Sequence, residues 1–168
     1  MAPKTNLTSA NTGSITRSLN TSGHLSRLPT VRGCMARNLY VFHPDMPIMK
    51  AVDVLLDHQI SGAPVVDRKT SRLVGILSEK DCLLLVAKGQ LHEEPAGVVA
   101  DYMTKEVDTI PPEMDIYYAA GLFINHSYRR LPVVNEDGEL VGQVSRRDIL
   151  RVVRDNLKAM LDASAEDA

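Results

Sequence analysis

The string Leu73-Val74-Gly75-Ile76-Leu77-Ser78-Glu79-Lys80-Asp81 returns almost unchanged as Leu140-Val141-Gly142-Gln143-Val144-Ser145-Arg146-Arg147-Asp148. In each copy an apolar, partly β-branched run gives way through Gly-x-x-Ser-x-x-Asp to an apolar-periodic segment, which reads as a strand running into a helix. Serine at the junction with aspartate three residues later is close to a capping box. In the simplest reading Ser78 and Ser145 accept from first-turn N–H groups, and Asp81 and Asp148 favour the positive end of the helix. A single copy would mean little more than a cap. Two in matching contexts point to a duplicated chain.

Working outward, a displacement of 68 positions lays Met35 on Met103, Pro44 on Pro112, Met46 on Met114, Ile48 on Ile116, Ala51 on Ala119 and His58 on His126. It also lays Pro64-Val65-Val66 on Pro132-Val133-Val134. One residue is lost in the following turn, and the register resumes through Leu73 and Leu140 to Val86 and Val153. Two repeats of about 55 residues are implied.

The order of elements within a repeat follows from periodicity. A short helix ends near Met35 or Met103, and an extended segment leads to Pro44 or Pro112. An amphipathic helix then carries Ile48, Ala51, Val52, Leu55 and Leu56, or Ile116, Ala119, Ala120, Phe123 and Ile124, in the i, i+3, i+4, i+7, i+8 stripe of a core-facing helix. It should end near His58 or His126. Strands follow at Ala63 to Val66 or Leu131 to Val134, then a polar turn and the second strand. Glu136-Asp137-Gly138-Glu139 is a good hairpin turn. The last helix runs from Glu79 to Ala87, or from Arg146 to about Met160. The expected boundaries are a flexible tail over 1–29, repeats over 30–89 and 98–160, a linker over 90–97 and a short tail over 161–168.

Composition bounds the function. With 168 residues, 44% apolar, 24% charged and net charge −2, the chain is a soluble globular protein with nothing to suggest general affinity for nucleic acid. No apolar run approaches a membrane span. The cysteines, Cys34 and Cys82, lie in no close-spaced metal or redox motif, so two reduced thiols in the cytoplasm are expected. Residues 1–29 are rich in Ser, Thr and Asn, and the first acidic residue is Asp45, preceded by Lys4, Arg17, Arg27, Arg32 and Arg37. That leaves an organelle-targeting segment, or contact with an anionic partner, as alternatives, but the arginine spacing is loose and no amphipathic face is clear. His58 and His126 occupy equivalent positions without a carboxylate or cysteine cluster, so helix C-termini explain them better than a metal. The methionines read as core filler.

With both repeats and both motifs in place, residues from about Thr30 to Val153 resemble a tandem CBS-domain pair, often called a Bateman module. The resemblance implies an α/β (α+β) fold of two β-α-β-β-α repeats packed sheet to sheet about a pseudo-two-fold axis. It also implies binding of adenosine-containing ligands in clefts between the repeats: AMP, ADP or ATP foremost, then S-adenosylmethionine or NAD, with no required cofactor.

The chemistry agrees. A ribose offers two adjacent hydroxyls, from which an ionised carboxylate at a helix start, Asp81 or Asp148, can accept. Ser78 and Ser145 could add hydroxyl contacts, and the helix N-terminus favours anions. By resemblance, Ile60-Ser61-Gly62-Ala63 and Tyr128-Arg129-Arg130-Leu131 line the adenine and phosphate side, and Thr109 and Ile110 border the cleft. Arg130 matches a phosphate-binding arginine of the family, whereas the first copy has Ser61 and Gly62 there. The expected function is a nucleotide sensor that modulates an unknown effector in trans. The alternative is a dimerisation or interaction module without a ligand. No catalytic dyad, P-loop or metal cluster can be assembled, so an enzyme is not expected. Val54, Leu122, Tyr117 and Tyr118 widen the apolar arcs, and together with the family resemblance they imply a homodimer.

Overall fold

The structure is a computed structural model and describes residues 29–87 and 97–166. Of the expected tail over 1–29 all but Pro29, and most of the linker over 90–97, lie outside the described residues. In chain order the elements are α1 (Val31–Cys34), α2 (Ile48–Asp57), β1 (Gly62–Val66), β2 (Leu73–Ser78), α3 (Glu79–Ala87), α4 (Val99–Tyr102), α5 (Ile116–Asn125), β3 (Arg130–Val134), β4 (Leu140–Ser145) and α6 (Arg146–Glu166). β1 pairs antiparallel with β2, Gly62 facing Ser78 and Pro64 facing Ile76, and β3 with β4 forms a second two-stranded sheet. The first strand of each repeat is reduced to one parallel bridge, Phe42 to Val65 and Ile110 to Val133. Proline is tolerated in β1 for that reason. The Pro64 carbonyl accepts from the Phe42 N–H at 2.9 Å, so the N–H that proline lacks would have faced this short segment and not the β2 ladder.

Chain contacts divide the protein into two compact units that interleave the repeats: Arg37–Asp108 with Val134–Gly142, and the segment ending at Ala36 with Thr109–Val133 and the segment from Gln143 onward. The Val134–Gly142 hairpin joins the first unit through Leu73 N–H to the Gly138 carbonyl and Leu140 N–H to the Ser71 carbonyl (3.1 Å each), and the rest follows from a reciprocal exchange of the short helices. In the first of these units the carbonyl of Gly97 accepts from Ile48 N–H at the start of α2 (3.1 Å), and Val99 and Ala100 donate to Met46 and Pro44 (2.9 and 3.0 Å). Thr104 and Ile76 exchange both backbone bonds at 2.9 Å. In the other unit Pro29 accepts from Ile116 at the start of α5 (3.1 Å), and Val31 and Arg32 donate to Met114 and Pro112 (2.8 Å each). Ala36 pairs with Gln143 there. Each short helix thus caps and edges the repeat that does not contain it.

Phe42, Ile48, Ala51, Leu55, Ala63, Val65, Leu77, Leu85, Val99 and Tyr102 form the core of the first unit. Ile116, Ala119, Leu122, Phe123, Leu131, Val133, Val144 and Ile149 are buried in the other. The expected stripes are right at i, i+3 and i+7 but too wide: Leu56 and Ile124 are exposed. Leu122, expected beside the stripe, is core instead.

Gly75 has a steric role. A Cβ there would lie 2.8 Å from Met103 Sδ and 2.9 Å from the Thr104 carbonyl oxygen. Gly138 takes φ +79° in the hairpin turn, where the Asn135 side chain accepts from Asp137 and Glu139 N–H. α6 continues to Glu166, past the expected stop at Met160, because Ala159, Leu161, Ala163 and Ala165 favour helix and no Gly or Pro interrupts. Among the described residues no helix is long and apolar enough to cross a membrane.

Candidate functional site

The two duplicated motifs fold into the same box. In each, the serine N–H donates to Oδ2 of the aspartate at 2.8 Å and the serine hydroxyl donates to the same oxygen at 2.6 Å, in Ser78–Asp81 and Ser145–Asp148 alike. The aspartate N–H lies 3.4 Å from the serine oxygen in both, closing the box weakly from the helix side. The capping role is therefore real. It consumes Oδ2 and leaves Oδ1, where the copies diverge: Thr104 Oγ1 donates to Asp81 Oδ1 at 3.3 Å, and Arg151 Nη1 to Asp148 Oδ1 at 3.1 Å. All four box residues are half-buried.

Around the first box, Gly62 stands opposite Ser78, and the Ser61 carbonyl accepts from Glu79 N–H at 3.1 Å. The Ile60-Ser61-Gly62-Ala63 segment is thereby brought to the start of α3. A Cβ on Gly62 would come within 3.0 Å of the Leu77 carbonyl and 3.2 Å of Ser78, so its bareness lets the chain approach the box. Ile60 and Ser61 are half-buried, whereas Ala63 belongs to the core.

In the other unit Arg130 opens β3 half-buried, with Arg129 exposed before it. Tyr128 is half-buried and stacks on His126 with centroids 5.0 Å apart. Thr109 is half-buried, but the Ile110 side chain is fully buried and its N–H donates to the Pro132 carbonyl at 3.1 Å. Cys34 of α1 lies within the electrostatic reach of Asp148 and Arg151. Burial first, then the Asp148 charge, pushes its thiol up from the ordinary cysteine value, and Arg151 opposes this. Cys82 is raised by burial and then by Asp81 and Glu79. Neither environment activates a thiolate.

A profile of the CBS domain matches residues 31–88 and again 99–155. The chain belongs to the CBS domain family. Among solved CBS structures, CBSX2 in complex with AMP is 32% identical with a TM-score of 0.66, over 75% of this chain and 96% of that one; CBSX2 is a CBS-pair protein of Arabidopsis thaliana. The CBS domain pair of protein MJ0100, in complex with 5'-methylthioadenosine and S-adenosyl-L-methionine, is 25% identical with a TM-score of 0.62, over 74% and 99%. Inosine-5'-monophosphate dehydrogenase of Nitrosopumilus maritimus is 35% identical over 68% of this chain, which spans only 22% of the enzyme. That match follows the CBS repeats and carries none of the enzyme's activity to this chain.

Within the CBS repeats, sequence reasoning missed the partners of Oδ1. Arg151 was discoverable from its i, i+3 spacing to Asp148. Thr104 was not, being 23 residues from Asp81 and brought there by the exchange of α4. The equivalent histidines also have a clear structural place: His58 stacks on Tyr40 with centroids 4.2 Å apart, as His126 does on Tyr128.

Proposed function

We propose that the chain is a regulatory adenine-nucleotide-binding module that takes AMP, ADP, ATP or a related adenosyl compound and modulates a partner protein in trans. One observation carries the reading: in both copies the aspartate is fixed through Oδ2 while, among the described residues, Oδ1 holds only a replaceable partner, a long hydroxyl contact from Thr104 or the exposed Arg151. A ribose diol can take over that oxygen with charge-assisted bonds and leave the box intact. The AMP complex of CBSX2 supports adenosine as the ligand class.

The two sets are unequal. Arg130 takes, in the second repeat, the place that Gly62 holds opposite Ser78 in the first. With Arg129 next to it in the chain, it favours phosphate, since a guanidinium donates in a fork. Asp81 and Ser78 face Ser61 and Gly62 instead, which suits a less charged ligand.

Calorimetry with AMP and adenosine on the wild type and on Asp148→Ala, Arg130→Ala and Asp81→Ala tests the assignment. A charged hydrogen bond contributes roughly 1.5–3 kcal/mol, so Asp148→Ala should weaken both ligands about ten-fold or more. Arg130→Ala should weaken AMP far more than adenosine, and Asp81→Ala should matter less. Loss of AMP binding in Asp81→Ala alone would reverse the assignment. A second reading, a homodimeric interaction module without a ligand, is favoured by exposed Met49, Leu56, Tyr117 and Ile124 on α2 and α5. Heat-silent titrations without a thermal shift, for every adenosyl compound, would select it.

A further inference from the structure

α6 is longer than its unit supports. Ile149 is buried and Val152 and Val153 are half-buried, but every side chain described from Arg154 to Asp162 is exposed. An isolated helix shorter than about 12–15 residues is marginal in water, so a segment this exposed calls for other support. The surface of this one is sorted into sectors. Leu150, Leu157 and Leu161 are 68%, 56% and 70% exposed and, at i, i+7 and i+11, fall within an arc of about 40° beside the buried face. Arg147, Arg151, Arg154 and Lys158 follow at i, i+4, i+7 and i+11 as a parallel basic row, all exposed. Asp155 and Asp162 lie beyond the basic row, away from the leucines. The ion pairs Arg151–Asp148 and Arg154–Asp155 are solvent-facing and cheap to rearrange.

We propose that this leucine row edged by cations is a docking surface for an acidic amphipathic helix of a partner protein. Charge complementarity selects the occupant. In an antiparallel pair of two copies the basic row would meet itself. In a parallel pair it would meet the other flank, where the described residues are Arg146 and Val153 and offer no carboxylate. Residues 1–28 contain Lys4, Arg17 and Arg27 and no Asp or Glu, so they do not complement the row either. A membrane-surface helix needs a wide apolar face, and three leucines on a narrow arc suit a coiled-coil seam better. The inference stands whether or not the chain binds a nucleotide.

The test uses the full chain and two labelled peptides of three heptads with Leu at a and d, one with Glu and one with Lys at e and g, since like charges keep each from pairing with itself. Anisotropy should show the Glu peptide binding at least about ten-fold tighter than the Lys peptide, with the difference shrinking as salt rises. Arg154→Glu with Lys158→Glu should invert the preference, and Leu157→Ala with Leu161→Ala should abolish binding. All four positions are exposed, and circular dichroism checks that the variants fold. Equal binding of the two peptides, or an unchanged preference after charge reversal, overturns the proposal. So does a dimer of the chain that the leucine variant breaks, or tighter binding to phosphatidylserine vesicles than to the Glu peptide.

Discussion

Replacing Asp148 by alanine should destabilise the chain before any ligand is added, by an amount that follows from the box. The Ser145 N–H loses its only described acceptor, at 2.8 Å, in a half-buried position. That costs about 1 kcal/mol, the low end for a buried donor left unmade. The Ser145 hydroxyl loses its 2.6 Å contact but can turn to water, and the exposed Arg151 pair contributes under about 1 kcal/mol. The total is about 1.5–2 kcal/mol, within the range for removing a helix cap. For a chain of this size it corresponds to a fall in Tm of roughly 3–8 °C. Asp148→Asn keeps an acceptor for the Ser145 N–H and should lose about half as much. Thermal unfolding followed by circular dichroism, without and then with saturating AMP, separates the two roles. The cap appears in the ligand-free melts of Asp148→Ala and Asp81→Ala alike. The nucleotide role appears as the AMP-induced rise, which Asp148→Ala should lose. A ligand-free Asp148→Ala that melts with the wild type would show that the box does not hold α6. An undiminished AMP shift would remove Asp148 from the ligand.

Gly75→Ala should cost about 1–3 kcal/mol by denaturant unfolding, because the Thr104 carbonyl cannot yield as the Met103 side chain can; an unchanged midpoint would mean that the crossing segment is loosely held. A fragment of residues 37–108 should fold better than one of residues 30–89, which lacks buried Val99 and Tyr102 and retains Val31 without its acceptor Met114; equal proton-exchange protection in both would contradict the exchange. The Asp67 carboxyl is held below the ordinary carboxylate value by the N–H and hydroxyl of Thr70 and then by the N–H of Lys69. Its contribution is therefore fully present above the unfolded value of about 3.9 and is lost as pH falls through the lower folded value. Asp67→Ala should flatten the acid limb of the stability profile, and an identical limb would contradict this. Cys34 and Cys82, both raised, should react with iodoacetamide at pH 8 more slowly than a free cysteine; faster reaction would show an activated thiolate.

The duplication, the element order and both capping boxes were legible in the sequence because each is local. Periodicity reports which face of a helix is apolar, and Ser-x-x-Asp spacing reports a reach of one helical turn. Even Arg151 on Asp148 belongs to this class. What the repeat could not reveal is which unit each short helix joins. Pro29 and Gly97 act through carbonyl groups, and Val31, Arg32, Val99 and Ala100 through N–H groups, which every residue but proline possesses and no side chain advertises. Thr104 on Asp81 follows from that exchange, as does the need for glycine at position 75. The width of the buried stripes was likewise decided in three dimensions: Leu56 and Leu122 are equally apolar in sequence, and only the packing around α2 and α5 leaves the first in water and takes the second into the core.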